Sequence, residues 1–266
     1  MIKIHKYFST NRTFLITLFI IVSCFWIFWY PGVKVATDYH LPFNADFLGV
    51  SPWSWRSFDV ADGLGEYTTF TLWSQPLLSF SEFLSSISLG SEFQAKLMGI
   101  IIIFFGILGI WRLLSYLKIN DWGKSAASVF FILNSFFLLM FDGGQFSLNL
   151  AYITLPFAVC SFMKLLEFSG WRERVKFALI ILLISIFDIR IIYLVCLTIV
   201  IFLVVNTLTS SLKDSLNIFK KLFSTALIIG VILAGFHMFW LIPAFVSKPP
   251  QLPQTYNRAS QIDFLS

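Results

Sequence analysis

Apolar residues fall in long runs along this chain, and polar residues gather in the gaps between them. Phe14–Tyr30 is the first run, preceded by Lys3, Lys6 and Arg12. Others cover about Ala95–Leu117, Ser125–Phe141, Phe146–Leu166 and Leu222–Val246. A stretch of ~20 apolar residues crosses a hydrocarbon core of ~30 Å as a helix, so each run predicts a membrane span. The first run has no small-residue cleavage site after it and ends in Trp26, Trp29 and Tyr30, the pattern of a retained signal anchor. Asp142-Gly143-Gly144 predicts a tight turn between the third and fourth runs. Lys248-Pro249-Pro250 closes the last, because proline removes a helix donor.

Two segments depart from this pattern. Residues 177–206 are apolar except for Asp188-Ile189-Arg190. One helix of that length would reach ~45 Å, long for a single crossing. The alternative is a helix over 177–187, a break at Asp-Ile-Arg, and a second helix over 191–208. The other departure is residues 32–94, which carry Asp38, Asp46, Asp59, Asp62, Glu66, Glu82 and Glu92, half of the 14 acidic residues. Within them, residues 70–89 mix serines with aromatic and aliphatic residues around Pro76, which suits helices lying at headgroup level.

Charge decides between the two readings of 177–206. With the amino terminus in the cytoplasm, the inside loops collect Lys3, Lys6 and Arg12; Arg112, Lys118 and Lys124; Lys164, Arg172, Arg174 and Lys176; and Lys213, Lys220 and Lys221. The positive-inside rule holds at each loop if 177–208 leaves the cytoplasm and returns. The expected architecture is therefore an all-α, multi-pass plasma-membrane bundle of about seven segments with a large first extracytoplasmic loop, 32–94. That loop, the Asp142 turn, the Asp188 turn and residues 247–266 would meet outside. Residues 1–246 form the membrane domain. Residues 247–266 read as the start of a further outer loop, so the chain is expected to be a fragment of a longer protein.

Composition agrees. Hydrophobic residues make up 58% of the 266, charged residues only 12%, against ~25% charged in soluble proteins. The net charge of +5 lies in short loops rather than in a basic module, which excludes a nucleic-acid partner. Cys24, Cys160 and Cys196 sit inside apolar runs and, with His5, His40 and His237, give no metal-ligand spacing. No cofactor is identified, although acidic loops can hold a divalent ion through oxygen alone.

Candidate chemistry concentrates in the outer loop. Asp38 in Asp38-Tyr39-His40, with Asp46 after it, places carboxylates near the membrane surface, where burial raises a carboxyl pKa towards the range of a general base. Solvated loop acids are the plainer reading. Trp53-Ser54-Trp55-Arg56 sets aromatic faces beside a cation, suited to a sugar ring or to an interfacial belt. Asp188 and Arg190 interrupt an apolar hairpin; they are either a site, with Arg190 a ligand for a lipid phosphate, or a self-paired polar tip. His237 and Trp240 lie in the last run, where a histidine is usually packed and hydrogen-bonded within the bundle.

The order of these features resembles the amino-terminal membrane domain of the GT-C superfamily of lipid-dependent glycosyltransferases, nearest its arabinofuranosyltransferase-like and YfhO-like branches. The resemblance rests on Asp38-Tyr39-His40-Leu41-Pro42-Phe43 directly after the first span, then Asp46, Trp53, Trp55, Asp59, Gly63-Leu64-Gly65 and Gln75-Pro76-Leu77-Leu78. Phe130–Asn134, Asp142-Gly143-Gly144-Gln145 and Phe239-Trp240-Leu241-Ile242-Pro243 are also similar. It implies a polyprenyl-phosphate sugar donor, a glycan, glycolipid or protein acceptor, and an extracytoplasmic active site. Asp38 would be the catalytic base or an essential acceptor-site acid, and Asp46 the second acid. His40, Trp55, Arg56 and Asp188 would line the substrate, with Arg190, Lys248 and Arg258 stabilising the leaving phosphate. Asp38 precedes Tyr39 rather than a second acid, which departs from the family pattern and leaves metal dependence open. A flippase of lipid-linked saccharide and a non-catalytic scaffold of an envelope-assembly complex are the competing classes.

Overall fold

The computed structural model describes residues 2–31, 75–168, 170–209 and 212–246. All regular structure in them is helical: α1 Ile2–Cys24, a 3₁₀ turn at Trp26–Trp29, α2 Gln75–Ser86, α3 Ser91–Tyr116, α4 Asp121–Ile132, α5 Ser135–Asp142, α6 Phe146–Glu167, α7 Trp171–Asp188, a 3₁₀ turn at Ile189–Ile191, α8 Ile192–Thr209 and α9 Leu212–Val246. Among them, four stretches are long and apolar enough to cross a membrane, or five if α4 and α5 count as one bent span. The apolar part of α1, Arg12–Cys24, is shorter than a crossing needs by itself.

The run 171–209 is helical throughout and by length alone is one stretch of 39 residues. Its packing shows that it doubles back. Phe162 of α6 meets Phe177 of α7 at 5.8 Å and Phe202 of α8 at 5.4 Å between ring centroids. Those two phenylalanines are 25 residues apart, ~37 Å along a straight helix, so a straight rod could not place both on one ring. The hairpin expected around Asp188 is therefore present, its arms 18 residues each. At 1.5 Å per residue each arm spans ~27 Å, close to a hydrocarbon core.

Side-chain contacts fix the direction of the other helices. Phe14 packs edge-on against Trp111, and Thr17 Oγ1 donates to Ser125 Oγ at 2.8 Å, so α1 starts beside the end of α3 and the start of α4. Phe28, just past α1, meets Phe141 at 4.9 Å and Phe146 at 6.2 Å. Ser185 of α7 meets His237 of α9, and Lys221, near the start of α9, donates to the carbonyl of Leu166 at the end of α6. One end of the bundle thus gathers Tyr30, the start of α3, the Asp142 turn, the Asp188 turn and the end of α9. The opposite end carries Arg112, Lys118, Lys124, Lys164, Arg172, Arg174 and Lys176.

Two apolar clusters hold this arrangement. The first joins α1, α3, α5 and α6 through Phe25, Phe28, Ile102, Ile103, Phe137, Phe141 and Phe146. The second joins α6, α7 and α8 through Leu148, Ala158, Phe162, Phe177, Ile184 and Val195. α6 belongs to both and is the central strut: 67% of its apolar window is buried, against 17% for α9. Glycines let α3 lie close to it. A Cβ at Gly106 would stand 3.1 Å from Ile153 Cγ2 of α6, and 2.5 Å from Ile132 Cδ1 of α4, and one at Gly109 would stand 2.8 Å from the Phe157 ring and 3.3 Å from the Ile153 carbonyl oxygen.

The third span departs from expectation. In place of one helix over Ser125–Phe141, α4 and α5 meet at a 50° bend. Asn134 makes the break: its Oδ1 accepts the Phe137 N–H at 2.9 Å, capping α5, while its Nδ2 donates to the Phe131 carbonyl at 2.7 Å and to Tyr152 Oη at 3.1 Å. The Asp142 turn forms as expected, with Gly144 at φ 77°.

Candidate functional site at the Asp188 turn

The α7–α8 hairpin turns on one side chain. Asp188 leaves the helix with φ −157° and accepts the backbone N–H of Arg190 at 2.9 Å through Oδ1. This local turn mimics a backbone bend and lets the chain reverse within three residues. The Arg190 guanidinium closes over the same carboxylate. Its Nε donates at 3.0 Å to Oδ1, and its Nη2 donates at 2.6 Å to Oδ2. The Asp188 side chain is 2% exposed and that of Arg190 is 66% exposed. The pair therefore buries its anion and presents its cation. Of the two readings of this tripeptide, the self-paired tip is the one seen here, with the arginine side chain exposed.

A second polar group lies one turn down the same face of α7, since Ser185 and Asp188 are three residues apart. Ser185 Oγ and His237 Nε2 are 2.8 Å apart, and Trp240 Nε1 donates to His237 Nδ1 at 2.8 Å. Tryptophan can only donate, so Nδ1 carries no proton and the ring hydrogen sits on Nε2. Nε2–H then donates to Ser185 Oγ, whose own hydrogen goes to the Leu182 carbonyl at 2.7 Å. The polarity is the reverse of a nucleophile–base pair, in which the imidazole must accept from serine. Ser185, His237 and Trp240 are a buried tie between α7 and α9, as expected of a histidine packed in a bundle. Nothing local in the sequence marks Ser185, 52 residues away, as its partner.

Asn149 of α6 is wholly buried, and among the described residues neither its Nδ2 nor its Oδ1 has a hydrogen-bond partner. Nothing in sequence marked it, although a single asparagine in an apolar helix is a signal that could have been followed. Among the described residues no group of three or more His, Cys, Asp or Glu is placed to hold a metal ion.

Of the residues expected in the site, Asp188 and Arg190 are brought together. Asp38, Asp46, His40, Trp55, Arg56, Lys248 and Arg258 lie outside the described residues. Compared with protein-family models, curated proteins and solved structures, the chain matches none. The class that fold and packing define is a helical bundle whose long apolar helices suit a multi-pass membrane protein.

Proposed function

We propose that the chain is the membrane domain of a GT-C-type glycosyltransferase, which moves a sugar from a polyprenyl-phosphate donor to a glycan, lipid or protein acceptor. The observation that supports this reading is the gathering of Tyr30, the start of α3, the Asp188–Arg190 pair and the end of α9 at one end of the bundle. Tyr30 and Val246, from which the acid-rich segment and the residues after α9 continue, are at the same end as an exposed arginine. The opposite, cation-rich end suits the cytoplasm, so the site would face outward. Seven segments result if α1 crosses as well.

In this mechanism Asp38 accepts the proton of an acceptor hydroxyl as that oxygen attacks the anomeric carbon, and the bond to the lipid phosphate breaks. Asp46 is the second acid of the loop. The departing phosphate meets Arg190, Lys248 or Arg258, cations that stabilise its developing charge. His40, Trp55 and Arg56 contact the sugar.

A flippase of lipid-linked saccharide is the second reading, favoured by the discontinuous α4–α5 span, because transporters often build sites from broken helices. Both are tested with the full-length protein in liposomes and a panel of radiolabelled polyprenyl-phosphate sugars. The transferase reading expects one donor to be consumed, and Asp38→Asn, still folded, to lose ~10²-fold or more, as loss of a general base does. Movement of the labelled lipid between leaflets without cleavage would overturn it in favour of transport.

A further inference from the structure

The cation-rich end of the bundle holds a charge that its own acids do not balance. Lys221 of α9 reaches the end of α6 and donates to the Leu166 carbonyl at 2.9 Å. A cation at the carboxyl end of a helix is well placed, since it meets carbonyls that lack partners there. Arg174 is placed otherwise. It is the fourth residue of α7, at the amino end of that helix, where the macrodipole favours an anion. It also brings a second positive charge against Lys221. Both placements are unfavourable unless a negative group comes between them.

The acids at this end are engaged elsewhere. Glu173 pairs with Lys176 at 2.6 Å. Glu167 lies beside the Tyr116 hydroxyl, and Lys164 Nζ stands 5.7 Å from the centre of the same ring. Among the described residues neither Arg174 nor Lys221 is in an ion pair. Arg174 Nε is buried and has no hydrogen-bond partner among them, and a buried N–H of a charged group costs free energy until an acceptor reaches it. Gly170, the residue before α7, offers no side chain to cap the first N–H groups of that helix.

Position says which anion would fit. Phe168 and Trp171, on either side of the turn between α6 and α7, are exposed. Exposed aromatic residues between two apolar helices mark the headgroup level of a bilayer, and basic pockets between helix ends at that level take anionic headgroups. Phosphate oxygens accept from a guanidinium and an ammonium together. Phosphatidylcholine would set its own ammonium beside these cations, whereas an anionic lipid brings net negative charge.

We propose that Arg174 and Lys221 form a binding site for the phosphate of an anionic glycerophospholipid, which fastens the starts of α7 and α9 to the end of α6. The site lies at the opposite end of the bundle from Arg190 and does not depend on the transferase reading.

The test titrates the full chain in neutral detergent micelles with phosphatidylglycerol or phosphatidylcholine and counts bound lipid by native mass spectrometry. Phosphatidylglycerol is expected to bind about tenfold more tightly, the worth of a hydrogen bond between charged groups. Arg174→Gln should bring the two lipids within about twofold of each other. Arg172→Gln removes the same charge from an exposed side chain of the same turn and should leave the preference intact. Phosphatidylglycerol should also raise the unfolding midpoint of the wild type more than phosphatidylcholine does, a readout that stands even if the Arg174 variant fails to fold. Equal binding and equal midpoints with the two lipids would overturn the proposal. So would an equal loss in Arg172→Gln, the mark of general charge attraction, or displacement of the lipid by equimolar glycerol 3-phosphate, the mark of a site for a soluble phosphate.

Discussion

Truncating Asp188 to alanine removes four contacts at once from the reversal between α7 and α8: the Arg190 N–H at 2.9 Å, Nε at 3.0 and 3.2 Å, and Nη2 at 2.6 Å. These differ in worth. A hydrogen bond from a backbone N–H to a charged acceptor contributes ~1.5–3 kcal/mol. The ion pair adds ~1 kcal/mol or less, because the guanidinium is largely in solvent. Asp188→Ala should therefore cost ~2–4 kcal/mol. Asp188→Asn retains a carbonyl oxygen for the Arg190 N–H and loses the charge, so it should cost ~1 kcal/mol. The assay is reversible unfolding in mixed micelles titrated with denaturing detergent. Equal losses for the two variants would show that the turn does not depend on the Oδ1 bond. A loss below ~0.5 kcal/mol for Asp188→Ala would show that the carboxylate does not hold the hairpin.

Three further outcomes follow from the packing. Ser185→Ala and His237→Phe, measured singly and together, should show a coupling of ~0.6–1.7 kcal/mol, the range for hydrogen bonds between membrane helices; additive losses would mean the tie is absent. Gly109→Ala should destabilise by ~1–3 kcal/mol, because its new Cβ meets the Phe157 ring and the fixed Ile153 carbonyl; an unchanged midpoint in the same titration would refute the close approach of α3 and α6. Asn149→Leu should stabilise by ~1–3 kcal/mol through removal of two unpartnered buried groups. Destabilisation by that variant would instead mean that Asn149 holds a bound water or ligand.

How far the sequence reached depends on the range of the force involved. Helix positions were legible because an apolar run of membrane length has few other folds open to it. The Asp142-Gly143-Gly144 turn and the Asp188 reversal were legible because their chemistry is local: a glycine free to take positive φ, and an acid bonding two residues ahead. The bend at Asn134 is equally local, yet Ser125–Phe141 reads as one span because hydropathy weighs the phenylalanines on either side and overlooks one capping asparagine. The Ser185–His237–Trp240 tie was half legible. A histidine in a membrane helix demands a partner, but which helix supplies it is decided by how α7 and α9 pack. The approach of Arg174 to Lys221 was not legible at all, since both look like ordinary inside cations until α7 and α9 pack side by side.

The same distinction bears on the site. Asp188, an ionisable residue in an apolar setting, is expected to line the substrate, and its burial beneath Arg190 argues against direct contact of that kind. Both its oxygens are engaged by Arg190, so neither is poised to take a proton from an acceptor, whereas the Arg190 side chain is exposed. On the proposed reading the pair divides the work: Asp188 shapes the turn and holds the guanidinium, and Arg190 would carry the charge that the donor phosphate needs. Proton transfer would then fall to the acids of the segment after the first helix, where Asp38 is the leading candidate. An Asp188→Asn variant that keeps its stability and most of its activity would fit that division. One that keeps its stability and loses all activity would give Asp188 a part in the chemistry beyond shaping the turn.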